Sequence, residues 1–183
     1  MADARAAFLR DPDATRLLGR VLGGAVSAGD VIALVGPLGA GKTTLVQGIG
    51  EAVGVPPHVA VNSPTFAVCA EYPSDPGLLH VDLYRLESAD EAEQIGLPER
   101  LGDPDTLAVV EWADKIPEIL PPHTLWIRLE EQGTGRRVLL WEGDGGDVSW
   151  AADIELPSAE GVEPWTATPT PTLAASPPSP SSS

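Results

Sequence analysis

The sequence predicts an α/β fold of the P-loop NTPase kind: a three-layer domain whose mixed sheet carries antiparallel additions. Three observations lead there. Residues 36–43, GPLGAGKT, fit the phosphate-loop pattern G-x-x-x-x-G-K-[ST]. An apolar run, VIALV at 31–35, precedes the loop, and a helical stretch at 43–53 follows it, so the loop joins a buried strand to a helix as the pattern requires. Two later apolar runs, at 78–82 and 107–110, lead into carboxylates, Asp82 and Glu111. Chance alone gives the loop pattern in a chain this long at a rate of roughly one per cent.

The residue types match the chemistry of a dense anion. Gly36, Gly39 and Gly41 free the backbone to aim N–H groups inward. The helix that follows presents unpaired N–H groups and about half a positive charge at its N-terminus. Lys42 is placed for the β- and γ-phosphates and the Thr43 hydroxyl for Mg²⁺. A glycine-rich turn with a solvated lysine explains the glycines, but not Lys42 and Thr43 at this spacing.

Composition bounds the reading. One P-loop domain over 1–150 is expected, followed by a Pro/Ser/Thr-rich tail over 151–183. The net charge is −16, from 27 acids and 11 bases, which opposes nucleic-acid binding through the general surface. The single Cys69 excludes an internal disulfide, suits a reducing cytosol and reads as a small core residue. No leader-like opening and no membrane-length apolar run are seen, so a cytoplasmic protein is expected.

The elements follow in order. Residues 14–26 carry Leu17, Leu18, Val21, Leu22 and Ala25 at helical spacing, with Asp13 as N-cap and Asp11 and Thr15 as ordinary capping residues. The helix at 43–53 stops at Gly54 and Pro56-Pro57. Asn62-Ser63-Pro64-Thr65 makes a polar turn before a strand at 66–72, and Ser74-Asp75-Pro76-Gly77 turns into a strand at 78–82. Residues 87–95 read as a short acidic helix ended by Gly96. A strand at 107–110 leads into Glu111-Trp112, and segments 124–130 and 137–141 alternate around Gly133-Thr134-Gly135 as an antiparallel hairpin. From Pro157 the composition cannot bury a core and reads as disordered. A nucleotide site of this type needs a carboxylate at a strand end to orient Mg²⁺ and its waters; Asp82 and Glu111 both qualify.

With these residues assembled, the chain resembles the TsaE family, the small ATPases of bacterial tRNA threonylcarbamoyladenosine biosynthesis. The resemblance covers 11–138 and rests on GPLGAGKTT at 36–44, SPTF at 63–66, HVDLYR at 80–85, the acidic helix with Glu91 and Gly96, and VEW at 110–112. It implies ATP with Mg²⁺, slow hydrolysis alone, and action on the TsaB–TsaD pair, in which TsaD modifies adenosine 37 of tRNA. tRNA would then be an indirect partner, with no membrane contact and a monomer or weak oligomer when alone. It implies catalytic roles for Asp82, Glu111 and Trp112, and metal contacts from Thr43 and Glu111. The nucleotide would be held by Gly36, Leu38, Gly39, Ala40, Gly41, Lys42, Thr43, Thr44, Ser63 and Thr65, with Asp11, Thr15 and Arg137 on the adenine side. Two departures stand out: Pro37 where the family more often has Asp, and Asn62 where Lys often precedes SPTF. A P-loop small-molecule or protein kinase is the competing reading; it needs a basic lid, and Arg85, Arg100 and Arg128 are scattered.

Overall fold

The computed structural model describes residues 4–142, 154–155, 161–168 and 170. One sheet of eight strands organises them: β1 (Ala4–Leu9), β2 (Val31–Val35), β3 (Cys69–Tyr72), β4 (Gly77–Asp82), β5 (Thr106–Glu111), β6 (Leu125–Gln132), β7 (Gly135–Glu142) and β8 (Thr166–Thr168). Their spatial order is β3-β4-β5-β2-β6-β7-β1-β8. The four central strands β4, β5, β2 and β6 pair in parallel. The flanking strands join through antiparallel ladders. This is the mixed sheet expected from the sequence.

Alternation along β2 sorts the core into two layers. Ile32 and Leu34 face helix α1 (Pro12–Ala25) and helix α2 (Lys42–Ala52), meeting Leu18, Leu22, Leu45 and Ile49. Val31, Ala33 and Val35 face helices α3 (Ala89–Gln94) and α4 (Leu97–Leu101), meeting Ala92, Leu97 and Leu101. Trp126 and Trp141, cross-strand partners on β6 and β7, stack at 6.1 Å on that second face. Every residue of β2 is buried, as a strand covered on both sides must be.

Helices α1 and α2 approach so closely that Gly19 and Gly48 leave no room for a side chain where they meet. A Cβ on Gly48 would lie 2.1 Å from the Arg16 carbonyl oxygen, and one on Gly19 would lie 2.3 Å from that of Leu45. Arg16 and Arg20 of α1 both grip Glu51 of α2 at the rim of this seam.

Several boundaries differ from the sequence expectation. Asp11, not Asp13, caps α1: its Oδ1 accepts from the Ala14 N–H at 2.7 Å, because Pro12 already opens the helix. The strand expected from Phe66 begins at Cys69, since Val68 is left-handed at φ +66° and closes a turn. Strand β1 and helix α4 were not foreseen. The tail expectation is corrected at Ile154 and over residues 161–168. Residues 161–168 run antiparallel to β1 and end in β8, with Arg10 N–H donating to Gly161 O at 2.9 Å and Glu163 N–H to Phe8 O at 2.9 Å. Ile154 is buried in the core, Val162 and Trp165 pack against it, and Arg5 stacks over Trp165 at 4.8 Å. A few apolar residues and an open strand edge suffice to fix a segment whose composition is otherwise that of a linker. Apart from Glu155 and Thr170, the rest of 151–183 lies outside the described residues, as does Trp150.

Two outcomes follow. Gly48→Val should destabilise the chain by about 1–3 kcal/mol or more through overpacking of the α1–α2 seam, read as a lower urea midpoint with an unchanged m-value; an unchanged midpoint would refute the close contact. Truncation after residue 150 should lower the melting temperature, because it uncovers the β1 edge and the Trp165 site; an equal melting temperature would return the whole segment to the status of a tail.

Candidate functional site

The site forms where β2, β4 and β5 end, on the side from which α2 departs. Gly36, Gly39 (φ +85°) and Gly41 all lie at positive φ, and at two of them a side chain would also collide. At Gly36 (φ +149°) a Cβ would fall 2.3 Å from the Leu129 carbonyl oxygen; at Gly41 (φ +100°) it would strike the Arg136 guanidinium at 2.5 Å. Gly41 is the N-cap of α2 and supplies no side-chain cap, whereas Asp11 and Ser88 cap α1 and α3 with side-chain oxygens. The chain thus caps two of its helices with side chains and leaves the N–H groups of α2 available to an anion.

Lys42 is the first residue of α2 and is 4 % exposed. Its Nζ donates to Gly36 O at 2.7 Å and Pro37 O at 2.9 Å, and lies 3.9 Å from the centre of the Trp112 ring. Burial pushes its pKa below the ordinary 10.5, against the opposing pull of Glu111, Asp82 and Asp114.

Two buried carboxylates face this cation. Asp82 and Glu111 are register partners at the ends of β4 and β5. Glu111 Oε1 accepts from the Thr43 hydroxyl at 2.9 Å and lies 2.9 Å from His80 Nε2. Asp82 is the hub of the 63–65 turn: Oδ2 accepts from Thr65 Oγ1 at 2.8 Å and from Ser63 Oγ, and Oδ1 accepts from the Tyr84 N–H at 2.9 Å. The Asp82 N–H in turn donates to Val68 O at 2.8 Å. Trp112 follows Glu111 in the left-handed region at φ +58°, and its ring meets Tyr84 at 5.1 Å.

One cavity of about 380 Å³ gathers Leu38, Gly39, Gly41, Lys42, Thr43, Thr44, Ser63, Thr65, Asp82, Glu111 and Trp112, together with Tyr84. Gly36 and Ala40 shape the loop from behind; Ala40 is buried in the core. Asp11 and Thr15 lie off the cavity at the start of α1, where Thr15 Oγ1 accepts from Arg136 at 2.9 Å. Arg137 does not join them. It turns to the other face of β7, donating to Thr168 Oγ1 at 3.2 Å, and Arg136 takes the position beside Gly41. Strand alternation explains the exchange: Val138 and Leu140, in phase with Arg136, face α1 and α2, whereas Leu139 and Trp141, in phase with Arg137, face the opposite layer. Sequence reasoning also gave no separate role to His80 or Tyr84, although both stand in the HVDLYR motif.

Chemically, the site offers an open helix N-terminus, a buried ammonium, a hydroxyl bonded to a carboxylate, and a second carboxylate held by hydroxyls. Hydroxyl and carboxylate oxygens are hard donors of the kind Mg²⁺ accepts, one or two at a time alongside phosphate oxygens. The donor set and the glycine cradle therefore fit a magnesium–nucleotide.

Strand, glycine loop, uncapped helix and paired strand-end acids define a P-loop α/β protein. The family model described as threonylcarbamoyl adenosine biosynthesis protein TsaE matches residues 9–139. The tRNA threonylcarbamoyladenosine biosynthesis protein TsaE of Streptomyces coelicolor is 44% identical over 119 residues, 63% of this chain and 78% of that protein. Its namesake in Bacillus subtilis is 37% identical over 138 residues, 74% of this chain and 83% of that protein. The crystal structure of Bacillus subtilis YdiB superposes with a TM-score of 0.68 at 26% identity, covering 84% of this chain and 95% of that one. The chain belongs to the TsaE family.

The buried lysine generates a pH prediction. A cation whose folded pKa is lowered costs stability while charged, so the cost is present at neutral pH and relieved as pH climbs toward 10.5. The urea-unfolding stability of wild type relative to Lys42→Met should therefore rise between neutral pH and about pH 10. A difference that stays flat across that range would mean the folded chain does not perturb Lys42.

Proposed function

We propose that the chain binds ATP with Mg²⁺ and hydrolyses it, slowly alone and faster with the TsaB and TsaD proteins of threonylcarbamoyladenosine synthesis, in the cytoplasm. The observation that carries this reading is the Thr43–Glu111 hydrogen bond beside the uncapped start of α2, with Asp82 on the neighbouring strand. Loop and α2 N–H groups and Lys42 would hold the phosphates. Thr43 and Glu111 would hold Mg²⁺, which, when bound, neutralises charge developing on the phosphate oxygens. Asp82 is the acid left to orient a water: it is buried, yet its partners on Oδ2 are rotatable hydroxyls that can yield to another donor. Trp112 lies against the Lys42 ammonium, and its ring helps seat that charge.

Dependence on a partner is supported by the rim of the cavity. Leu38 is 86% exposed and Phe66 is 89% exposed, on the phosphate loop and on the 63–66 turn respectively. Apolar side chains held in water at a site's mouth fit a surface that a second protein covers. The kinase reading gains nothing from the arginines: Arg85 lies over Phe66, Arg100 binds Cys69 and Glu71, and Arg128 lies over Trp141. Among the described residues, no helix is long and apolar enough to cross a membrane.

Phosphate release from Mg-ATP, alone and with TsaB and TsaD from the same source, tests the proposal. Activity that is low alone and rises with the pair is expected; turnover that needs a small-molecule acceptor would mean a kinase. Lys42→Ala should abolish tight nucleotide binding. Asp82→Asn should keep binding and lose turnover by about 100-fold or more; a normal rate in that variant would move the water-orienting role to Glu111.

A further inference from the structure

Glu111 is held from two sides, and the inner contact serves no part of the reading above. His80 stands two residues before Asp82 on β4, opposite Val109 and so diagonal to Glu111 across the β4–β5 ladder, and is wholly buried. Its Nε2 lies 2.9 Å from Glu111 Oε1, the same oxygen that accepts from Thr43. Its Nδ1 is buried and has no hydrogen-bond partner. The Tyr72 ring, at 6.5 Å, is the aromatic neighbour on the outer strand.

An apolar residue would fill this place without an orphaned polar atom. A histidine that leaves Nδ1 unpaired in the core is a costly filler, and its one polar contact is the carboxylate. With Nδ1 bare, the ring carries its proton on Nε2 and donates it to Oε1. That bond fixes the carboxylate's rotation, keeps Oε1 against the Thr43 hydroxyl and leaves Oε2 free of these partners.

We infer that His80 is a positioning residue for the metal site: by hydrogen-bonding Glu111 from inside the core, it presets the carboxylate for Mg²⁺ brought in with the nucleotide. The inference rests on the magnesium–nucleotide reading of the cavity. Groups that hydrogen-bond a metal-ligating carboxylate or imidazole commonly matter about 10- to 100-fold in metal affinity.

The test separates metal from nucleotide without using turnover. Calorimetry with a non-hydrolysable ATP analogue gives the affinity in Mg²⁺ and in EDTA, and their ratio is the magnesium gain. His80→Phe keeps the ring's bulk and loses the donor; it should leave the EDTA affinity unchanged and cut the magnesium gain about 10- to 100-fold. His80→Gln places an amide N–H near the Nε2 position and should restore most of the gain. A folded His80→Phe that keeps the full gain overturns the inference, as does His80→Gln losing as much as His80→Phe. If His80→Phe does not fold, His80→Asn takes its place: it is smaller, its amide reaches only the Nδ1 side, and it should lose the gain that Gln keeps. Asn matching Gln would overturn the inference. A wild-type chain with no magnesium gain would instead overturn the magnesium–nucleotide reading beneath it, and the two failures are told apart by that control.

Discussion

The Thr43–Glu111 hydrogen bond is the contact on which the site depends. It spans 68 residues of sequence and joins the first turn of α2 to the end of β5. It can form because β5 lies directly beside β2 in the sheet, with Leu34 and Glu111 in register. The phosphate loop leaves β2 and folds back into α2 over that neighbour. A strand inserted between β2 and β5 would separate hydroxyl from carboxylate by roughly another strand spacing, 4.8 Å, and the pair would be lost. Sheet order, rather than the loop alone, makes this a site.

Asp82 shows how a buried charge is kept in place. Its carboxylate accepts from two hydroxyls and a backbone N–H, so both of its oxygens have partners in the interior. The same contacts anchor the 63–65 turn, whose Pro64 is buried while Phe66 just beyond it is in solvent. The turn's far end is bound as well, through the Val68 carbonyl on the Asp82 N–H. One residue of β4 thus holds both ends of the segment. Movement of that segment cannot leave the carboxylate's surroundings unchanged.

Much of this was legible in the sequence because it is local. The loop pattern, the strand before it and the helix after it occupy one short stretch, and the polar turns and alternating hairpin strands are local signals as well. The acids were legible as strand ends. Their adjacency was not, since register between β4 and β5 depends on the packing of the whole sheet. The role of His80 was hidden for the same reason: a histidine inside an apolar strand gives no sign of what it meets across the ladder.

Arg136 and the β1 edge mark where local reasoning stops. Two adjacent arginines on a strand must point to opposite faces, so one of them was bound to face α1 and α2. Alternation ties Arg136 to Val138 and Leu140 without saying which layer those residues meet; the β6–β7 ladder and the α1–α2 layer decide that. The segment at 161–168 is fixed by a similar non-local cause. Strand β1 forms only because β7 offers it an antiparallel partner, and once formed it presents an open row of N–H and C=O groups on its other side. Gly161, Glu163 and β8 occupy that row, and Trp165 covers apolar surface beside it. A Pro- and Thr-rich sequence is a poor strand former alone, but it is adequate when both the ladder and the apolar surface are already built. The order of dependence therefore runs from hairpin to β1 to the closing segment, because each strand supplies the open edge on which the next one forms.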